Sequence, residues 1–272
     1  MLRDFNLWAN SNCLHPKAGN LDRYLHSRML QLETLEGRIT PATYTVVNTF
    51  DAGTGSLRDA ITNANKNAGL DIIDFNINGV TGAVQTITLT TALPVITDQV
   101  TINGTTQLGY SANTLSVGAG NNAAIKIQLD GSNFTAASGI VGLYFNSAGS
   151  SVTGLSFVNF PFAIYANNNN ITIKGNYFGV NPDGSAQSNG LSGVGVDIAT
   201  VNAAIVGGNT AADQNIFGNL TTGILQIAGS GSSFTGNRIG LGTTNTSFMS
   251  NTTGIQINNN ANVDALNHSI SA

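Results

Sequence analysis

Lys174-Gly175-Asn176-Tyr177-Phe178-Gly179 returns as Thr235-Gly236-Asn237-Arg238-Ile239-Gly240, an offset of 61 residues (236 − 175). Around these copies lie shorter echoes. Gly142-Leu143-Tyr144-Phe145-Asn146 reappears as Ala163-Ile164-Tyr165-Ala166-Asn167, as Gly195-Val196-Asp197-Ile198-Ala199 and as Gly254-Ile255-Gln256-Ile257-Asn258. The intervals are 21, 32 and 59 residues (163 − 142, 195 − 163, 254 − 195), the last covering two turns. A repeat this short cannot bury its own apolar face and must stack on its neighbours, so the pattern from Ser138 to Asn258 predicts a solenoid.

The residue types inside each repeat say which kind. Leu143 and Phe145, Ile171 and Ile173, Val196 and Ile198, and Ile255 and Ile257 are i, i+2 pairs. That spacing sends both side chains to one face of a strand, here the interior of a coiled sheet. Gly154, Gly175, Gly207 and Gly236 mark tight turns where a residue without Cβ admits positive φ. Asn167 to Asn170 and Asn258 to Asn260 flank strands, where stacked amides can hydrogen-bond along the coil axis. Asn181-Pro182-Asp183-Gly184 reads as a turn projecting from the longer rung.

Upstream, Thr43-Tyr44-Thr45-Val46-Val47-Asn48 reads as a strand and Asp51 to Gly55 as a turn. Ser56 is placed to cap a helix whose apolar face is Leu57, Ala60, Ile61 and Ala64, with Gly69 placed to stop it. Ile72, Phe75 and Ile77 then resume an extended chain. Short β-branched strands follow at Thr86–Leu89, Val95-Ile96 and Val100–Ile102, and residues 111–124 are expected as a small polar loop protruding from a rung.

At the N-terminus, residues 1–20 show no periodicity, and Leu21, Leu25, Leu32 and Leu35 suggest a short amphipathic helix ending near Gly37 and Pro41. The expected division is an extension over 1–41, a strand–helix–strand cap over 42–78 and β-helix repeats over 79–272. The tail Val263-Asp264-Ala265-Leu266-Asn267-His268 departs from the repeat and offers no polar capping helix. The expectation is therefore a fragment, or an early-terminated copy, of a longer β-helix protein, with self-association through an uncapped last rung.

Composition excludes several function classes. Only 9% of residues are charged, against about 25% in ordinary domains. Beyond Pro41 the basic residues are Arg58, Lys66, Lys126, Lys174 and Arg238, and the net charge is −4, so there is no basic patch for a phosphate backbone and nucleic acid is not an expected partner. Cys13 is the single cysteine, and no stretch reaches the roughly 18 apolar residues of a membrane span. The first 41 residues also lack the apolar core of an ordinary secretory signal.

Two stretches resemble known modules. Gly55-Ser56-Leu57-Arg58-Asp59-Ala60-Ile61, with Ala64-Asn65 and Asp71-Ile72-Ile73-Asp74-Phe75, resembles the Cys-Ser-Leu-Arg-Glu-Ala-type module that opens the right-handed parallel β-helix of many bacterial surface proteins. Here Gly55 stands for the cysteine and Asp59 for the glutamate. Ile102 to Tyr110 and Gln128 to Ser132 resemble early rungs of the same family. Leu32-Glu33-Thr34-Leu35-Glu36-Gly37-Arg38 resembles a Leu-Glu-x-Leu-Glu-x-Arg sorting motif of extracellular proteins. The resemblance implies an all-β, right-handed parallel β-helix, pectate-lyase-like, with a short capping α-helix. It also implies export to the cell surface or medium. Arg58 and Asp59 are expected on the solvent side or bridging to the rung.

The same fold hosts pectin- and alginate-degrading enzymes, so carbohydrate chemistry is weighed directly. Inverting glycosidases need two carboxylates spaced for acid and base. No Asp-Asp pair occurs, no Glu follows Glu36, and histidine stands only at 15, 26 and 268, which also removes a Ser–His–Asp triad. The repeat region offers Asp130, Asp183, Asp197, Asp213 and Asp264, for which turn or strand-end roles are the ordinary reading. One constellation for a calcium-dependent lyase would bring Asp183 and Asp197 together across a rung, with Lys174 or Arg238 as base; surface roles for both cations are the simpler reading. Tyr144, Tyr165 and Tyr177 could align to stack on sugar rings, against the plainer role of partly buried strand aromatics.

No residue is assigned a catalytic, cofactor or metal role. The reading leans to a secreted or cell-surface structural or adhesive protein without catalysis, with extracellular polysaccharide or other surface components as partners. The alternative is a polysaccharide lyase, a glycoside hydrolase or a polysaccharide-binding module.

Overall fold

The computed structural model describes residues 40–77, 82–187, 193–258, 262–266 and 269–270. The leucine-spaced helix, the sorting-like motif and Cys13 lie outside these residues. The strands in chain order are β1 (Thr43–Val46), β2 (Asp71–Phe75), β3 (Gln85–Thr88), β4 (Val100–Asn103), β5 (Ile127–Asp130), β6 (Val141–Phe145), β7 (Ser151–Thr153), β8 (Leu155–Val158), β9 (Phe162–Ala166) and β10 (Thr172–Lys174). They continue as β11 (Tyr177–Phe178), β12 (Val194–Thr200), β13 (Ile205–Gly207), β14 (Ile216–Phe217), β15 (Thr222–Ala228), β16 (Ser230–Thr235), β17 (Arg238–Ile239), β18 (Thr253–Ile257), β19 (Asn262–Leu266) and β20 (Ser269–Ile270). Among the described residues one α-helix, α1 (Leu57–Ala64), lies between β1 and β2.

These strands form three parallel sheets. Sheet A runs β1-β2-β4-β7-β10-β13-β16-β19, sheet B runs β3-β5-β8-β11-β14-β17-β20, and sheet C runs β6-β9-β12-β15-β18. The chain visits A, B and C in turn, so β7–β9, β10–β12, β13–β15 and β16–β18 are successive rungs of a parallel β-helix. The right-handed sense is the one that parallel crossovers adopt almost without exception. Ile96 adds a single parallel bridge to Phe145 at the start of sheet C.

The i, i+2 pairs Leu143/Phe145, Ile171/Ile173 and Val196/Ile198 point inward as their spacing requires, while on the last sheet C strand Ile255 is half-buried and Ile257 exposed. Ile73, Ile102, Val152, Ile173, Val206 and Phe234 stack along sheet A, and Leu143, Ile164, Val196 and Ile224 along sheet C, all buried. In sheet B, Phe157, Phe178 and Phe217 lie nearly parallel, with ring centroids 5.2 Å and 4.7 Å apart. Such offset stacks contribute about 0.5–1.5 kcal/mol per pair beyond their buried area.

Where sheet A turns into sheet B the core is polar and fully partnered. Asn215 Nδ2 donates to Ile173 O and to Asn237 Oδ1, both at 2.9 Å, and Asn215 Oδ1 accepts from Asn176 N at 2.9 Å. Asn176 Oδ1 in turn accepts from Leu155 N at 3.0 Å. All three amides are wholly buried. The ladder follows the preceding turns, where Gly175 and Gly236 take φ of 61° and 68°. The strand-flanking stack is present at Asn167 to Asn170, where Asn167 Nδ2 donates to Asn146 Oδ1 at 3.2 Å and Asn202 N to Asn169 Oδ1 at 2.8 Å, while Asn259 and Asn260 lie outside the described residues.

The helix α1 packs Leu57, Ala60, Ile61 and Ala64 against β1 and β2 within the main core. Ser56 Oγ accepts from Asp59 N at 3.2 Å as its N-cap. Arg58 bridges to the rung, paired with Asp51 at 2.7 Å and donating to the carbonyls of Thr91 and Ala92.

Three expectations are corrected. Residues 111–124 do not protrude. Ser111 and Ala124 close a strap that lies along the coil: Asn113 Nδ2 donates to Ala211 O, Asn121 Nδ2 to Gln214 Oε1 and Asn121 N to Thr243 O. The strap covers a second apolar cluster of Ile125, Tyr177, Val180, Ile216 and Met249. The tail does not depart from the repeat either, because β19 pairs with β16 and β20 with β17. Third, Arg238 is not a surface cation. Its guanidinium is buried and donates to Gly242 O, Thr244 O and Asn245 Oδ1.

Candidate ligand-binding groove on sheet C

The outer face of sheet C carries the aromatic residues that the repeats align. Parallel register sets Tyr144 beside Tyr165, Tyr165 beside Asp197, and Asp197 beside Leu225. Adjacent strands are about 4.8 Å apart, so Tyr144 and Asp197 are separated by roughly 10 Å of sheet. Ideal alternation would put Val141 and Tyr144 on opposite faces. Both line the groove, on either side of the consecutive buried pair Gly142 and Leu143, and the next rung repeats this with Phe162 and Tyr165 around Ala163 and Ile164. A Cβ at Gly142 would come within 2.6 Å of Ala163 O, so this position takes a residue without one.

The result is a groove of about 330 Å³ lined by Gly139, Val141, Tyr144, Phe162, Tyr165 and Asp197. The two tyrosine rings meet edge to face, 4.9 Å apart at 89°, and form a corner rather than a flat shelf. Asp197 lies at the inner end, only 5% exposed, and among the described residues its Oδ1 has no hydrogen-bond partner. Burial pushes its carboxyl up to about 6, since a carboxylate removed from water without compensation favours its neutral form. Burial, and after it the charge of Asp197, also raises the Tyr165 hydroxyl.

The other sequence candidates lie elsewhere. Asp183 sits in the turn after β11 and accepts from Ser185 N and Oγ at 2.9 Å and 2.6 Å, which holds its carboxyl below the usual range. It is not part of the groove that Asp197 lines. Asp130 accepts from Ser132 and from Asn159, as a turn residue does. Lys174 and Asp213 meet on the sheet A side at 3.4 Å and line a second groove of about 430 Å³ with Tyr110, Ser151, Thr153 and Thr172. Asp213 also completes the capping box of the short turn after Thr210. Asp264 is placed on β19, and only its backbone is described. Tyr177 is not aligned with the other two tyrosines. It is buried under the strap, where its hydroxyl donates to Asn121 Oδ1 at 2.8 Å and burial raises it far above the ordinary range. Among the described residues, no group of three His, Cys, Asp or Glu side chains gathers as a metal site would need.

The groove thus brings together Tyr144, Tyr165 and Asp197, all named from the sequence, and adds Phe162 and Val141. The signal for their grouping was the repeat alignment: Tyr144, Tyr165 and Asp197 are each the third residue of their echo.

Comparison of the chain with protein-family models finds no match, and comparison with curated proteins finds none.

Proposed function

We propose that the chain is an exported adhesive scaffold that binds polysaccharide in the sheet C groove and leaves it intact. The observation that carries this reading is the groove itself: Tyr144, Phe162 and Tyr165 around Asp197 on the outside of a rigid coil. Aromatic walls with a few placed polar groups are the usual composition of a ligand site, and about 330 Å³ lies at the small end of the range, near one sugar unit. The stacked rungs need no further element to hold the groove open, which suits a surface scaffold. Export rests on the resemblance of Leu32 to Arg38 to a sorting motif, and fractionation of the producing cells tests it. Recovery in the cytoplasm would contradict it.

One observation favours a second reading, a glycoside hydrolase. A carboxyl near pKa 6 is suited to general-acid work. Hydrolysis also asks for a second carboxylate across the scissile bond, whereas Asp197 is the single carboxylate among the described lining residues.

The test is a panel of neutral, acidic and amino polysaccharides offered to the purified chain with and without calcium, scored for retention and for cleavage. The scaffold reading expects retention without shortened products, weakened at least about tenfold by the double variant Tyr144→Ala/Tyr165→Ala. Cleavage abolished by Asp197→Asn would replace it with the hydrolase. No retention of any polymer would remove both.

A further inference from the structure

Asp197 is the one groove residue whose surroundings do not explain it. Every other carboxylate of the repeat region with a described side chain has a partner: Ser132 and Asn159 for Asp130, Ser185 for Asp183, Lys174 and Thr210 for Asp213. Asp197 Oδ1 has none. The groups facing it across the sheet are Tyr165 from β9, with Tyr144 one rung further on β6, and uncharged Leu225 from β15. Gly139, Val141 and Phe162 complete the lining, so among the described residues no lysine, arginine or histidine meets the carboxylate there.

We propose that the groove selects an organic ammonium group, and hence a polysaccharide carrying free amines. This rests on the polysaccharide-binding reading above and narrows it. The argument has three parts. A nearly buried carboxylate without a partner is stabilised most by a positive charge, and a ligand ammonium supplies the charge that the protein does not. Aromatic rings attract cations over their faces, and in an edge-to-face pair the ring that offers its edge keeps its own faces free of its partner. The 89° corner of Tyr144 and Tyr165, with Phe162 beside it, has that shape, whereas a sugar ring laid flat would call for a coplanar shelf. Third, the ionised Asp197 repels a uronate, so the acidic polymers degraded by many enzymes of this architecture are disfavoured here.

The site also carries its own pH dependence. With the carboxyl near 6, the charged form falls from about nine-tenths at pH 7 to about one-tenth at pH 5. The affinity for a cation of fixed charge therefore falls about tenfold over that range. A polymer amine gains protons over the same range, so its own titration runs the other way.

Binding is measured by titration calorimetry with three probes: a β-linked glucosamine hexamer, the same hexamer N-acetylated, and tetramethylammonium chloride as a competitor of fixed charge. The proposal expects the free-amine hexamer to bind at least about tenfold tighter than the acetylated one at pH 7. It expects tetramethylammonium to displace it, with an affinity about tenfold weaker at pH 5. Asp197→Asn should remove both the preference and the pH dependence. Should that variant fail to fold, Tyr165→Leu keeps the column filled and should weaken tetramethylammonium binding several-fold. Equal or tighter binding of the acetylated hexamer, or a tetramethylammonium affinity unchanged between pH 7 and pH 5, overturns the ammonium assignment while leaving polysaccharide binding standing. Failure of the hexamers and of the whole polymer panel removes both.

Discussion

Asn215 and Asp197 are both polar, both nearly shut off from water, and both sit in repeated positions of the same coil. They differ in what surrounds them. Asn215 lies in a ladder where each rung supplies the partner the next one lacks, from Leu155 N through Asn176 and Asn215 to Asn237. Asp197 lies in a column whose neighbours are a tyrosine and a leucine, and its Oδ1 is left alone. A buried polar group with partners stabilises a stack and fixes its register, while one without them costs free energy. The ladder is therefore read as architecture and the lone carboxylate as the place where the fold gives up stability for a ligand.

The comparison is broken or sharpened by substitution. The largest effect is expected where the interior is most tightly stacked: Phe178→Ala empties the centre of the three-ring column and should lower the unfolding free energy by about 3–5 kcal/mol in a denaturant titration. Asn215→Ala should cost about 2–4 kcal/mol by the same measurement, because the buried Asn176 N–H and Asn237 Oδ1 lose their partner. A loss below about 1 kcal/mol would show that the ladder is incidental.

Asp197→Asn should act in the opposite sense. The folded-state pKa, about 6, lies above the unfolded value near 3.9. The burial penalty is thus absent below the unfolded pKa, grows as pH rises between the two, and is full above 6. Replacing the carboxylate should stabilise the chain at pH 7 by about 1–2 kcal/mol, allowing for screening at the groove mouth, and should do little at pH 4. The smallest effect is expected at the outer pair on sheet A. Lys174→Met removes an ion pair whose side chains are 34% and 21% exposed, and should change stability by less than about 0.5 kcal/mol.

The coil was legible because its chemistry is periodic. The i, i+2 apolar pairs and the Gly175 and Gly236 turns each carry a physical requirement that recurs at every rung. Where the recurrence is disguised, it was missed. Gly223-Ile224-Leu225-Gln226 is the rung between Gly195 and Gly254, and Gln226 puts an amide where Ile198 and Ile257 put aliphatic chains. The small, polar residues of the strap predict a protruding loop. Composition reports the polarity of Asn113, Asn121 and Gln214, and cannot report that the two asparagines donate to Gln214 Oε1 when buried. Arg238 misled for the same reason, since its carbonyl partners are backbone atoms of a turn a few residues on.

The groove was half legible. Tyr144, Tyr165 and Asp197 hold one position in three successive echoes, and parallel register makes equal positions neighbours. Their grouping was obscured by reading residue types across the chain, Asp197 with Asp183 and the tyrosines with Tyr177, rather than down the column. The unpaired state of Asp197 depends on what its flanking rungs do not supply, and no single stretch of sequence displays that.

The most direct test of the claim that Asp197 is held unpaired for a ligand is the stability of wild type and Asp197→Asn, compared at pH 7 and pH 4. The account predicts that the variant unfolds at a higher denaturant concentration at pH 7 and that the gap closes at pH 4. A variant less stable than wild type at pH 7 would show that the carboxylate supports the fold, and would contradict the account.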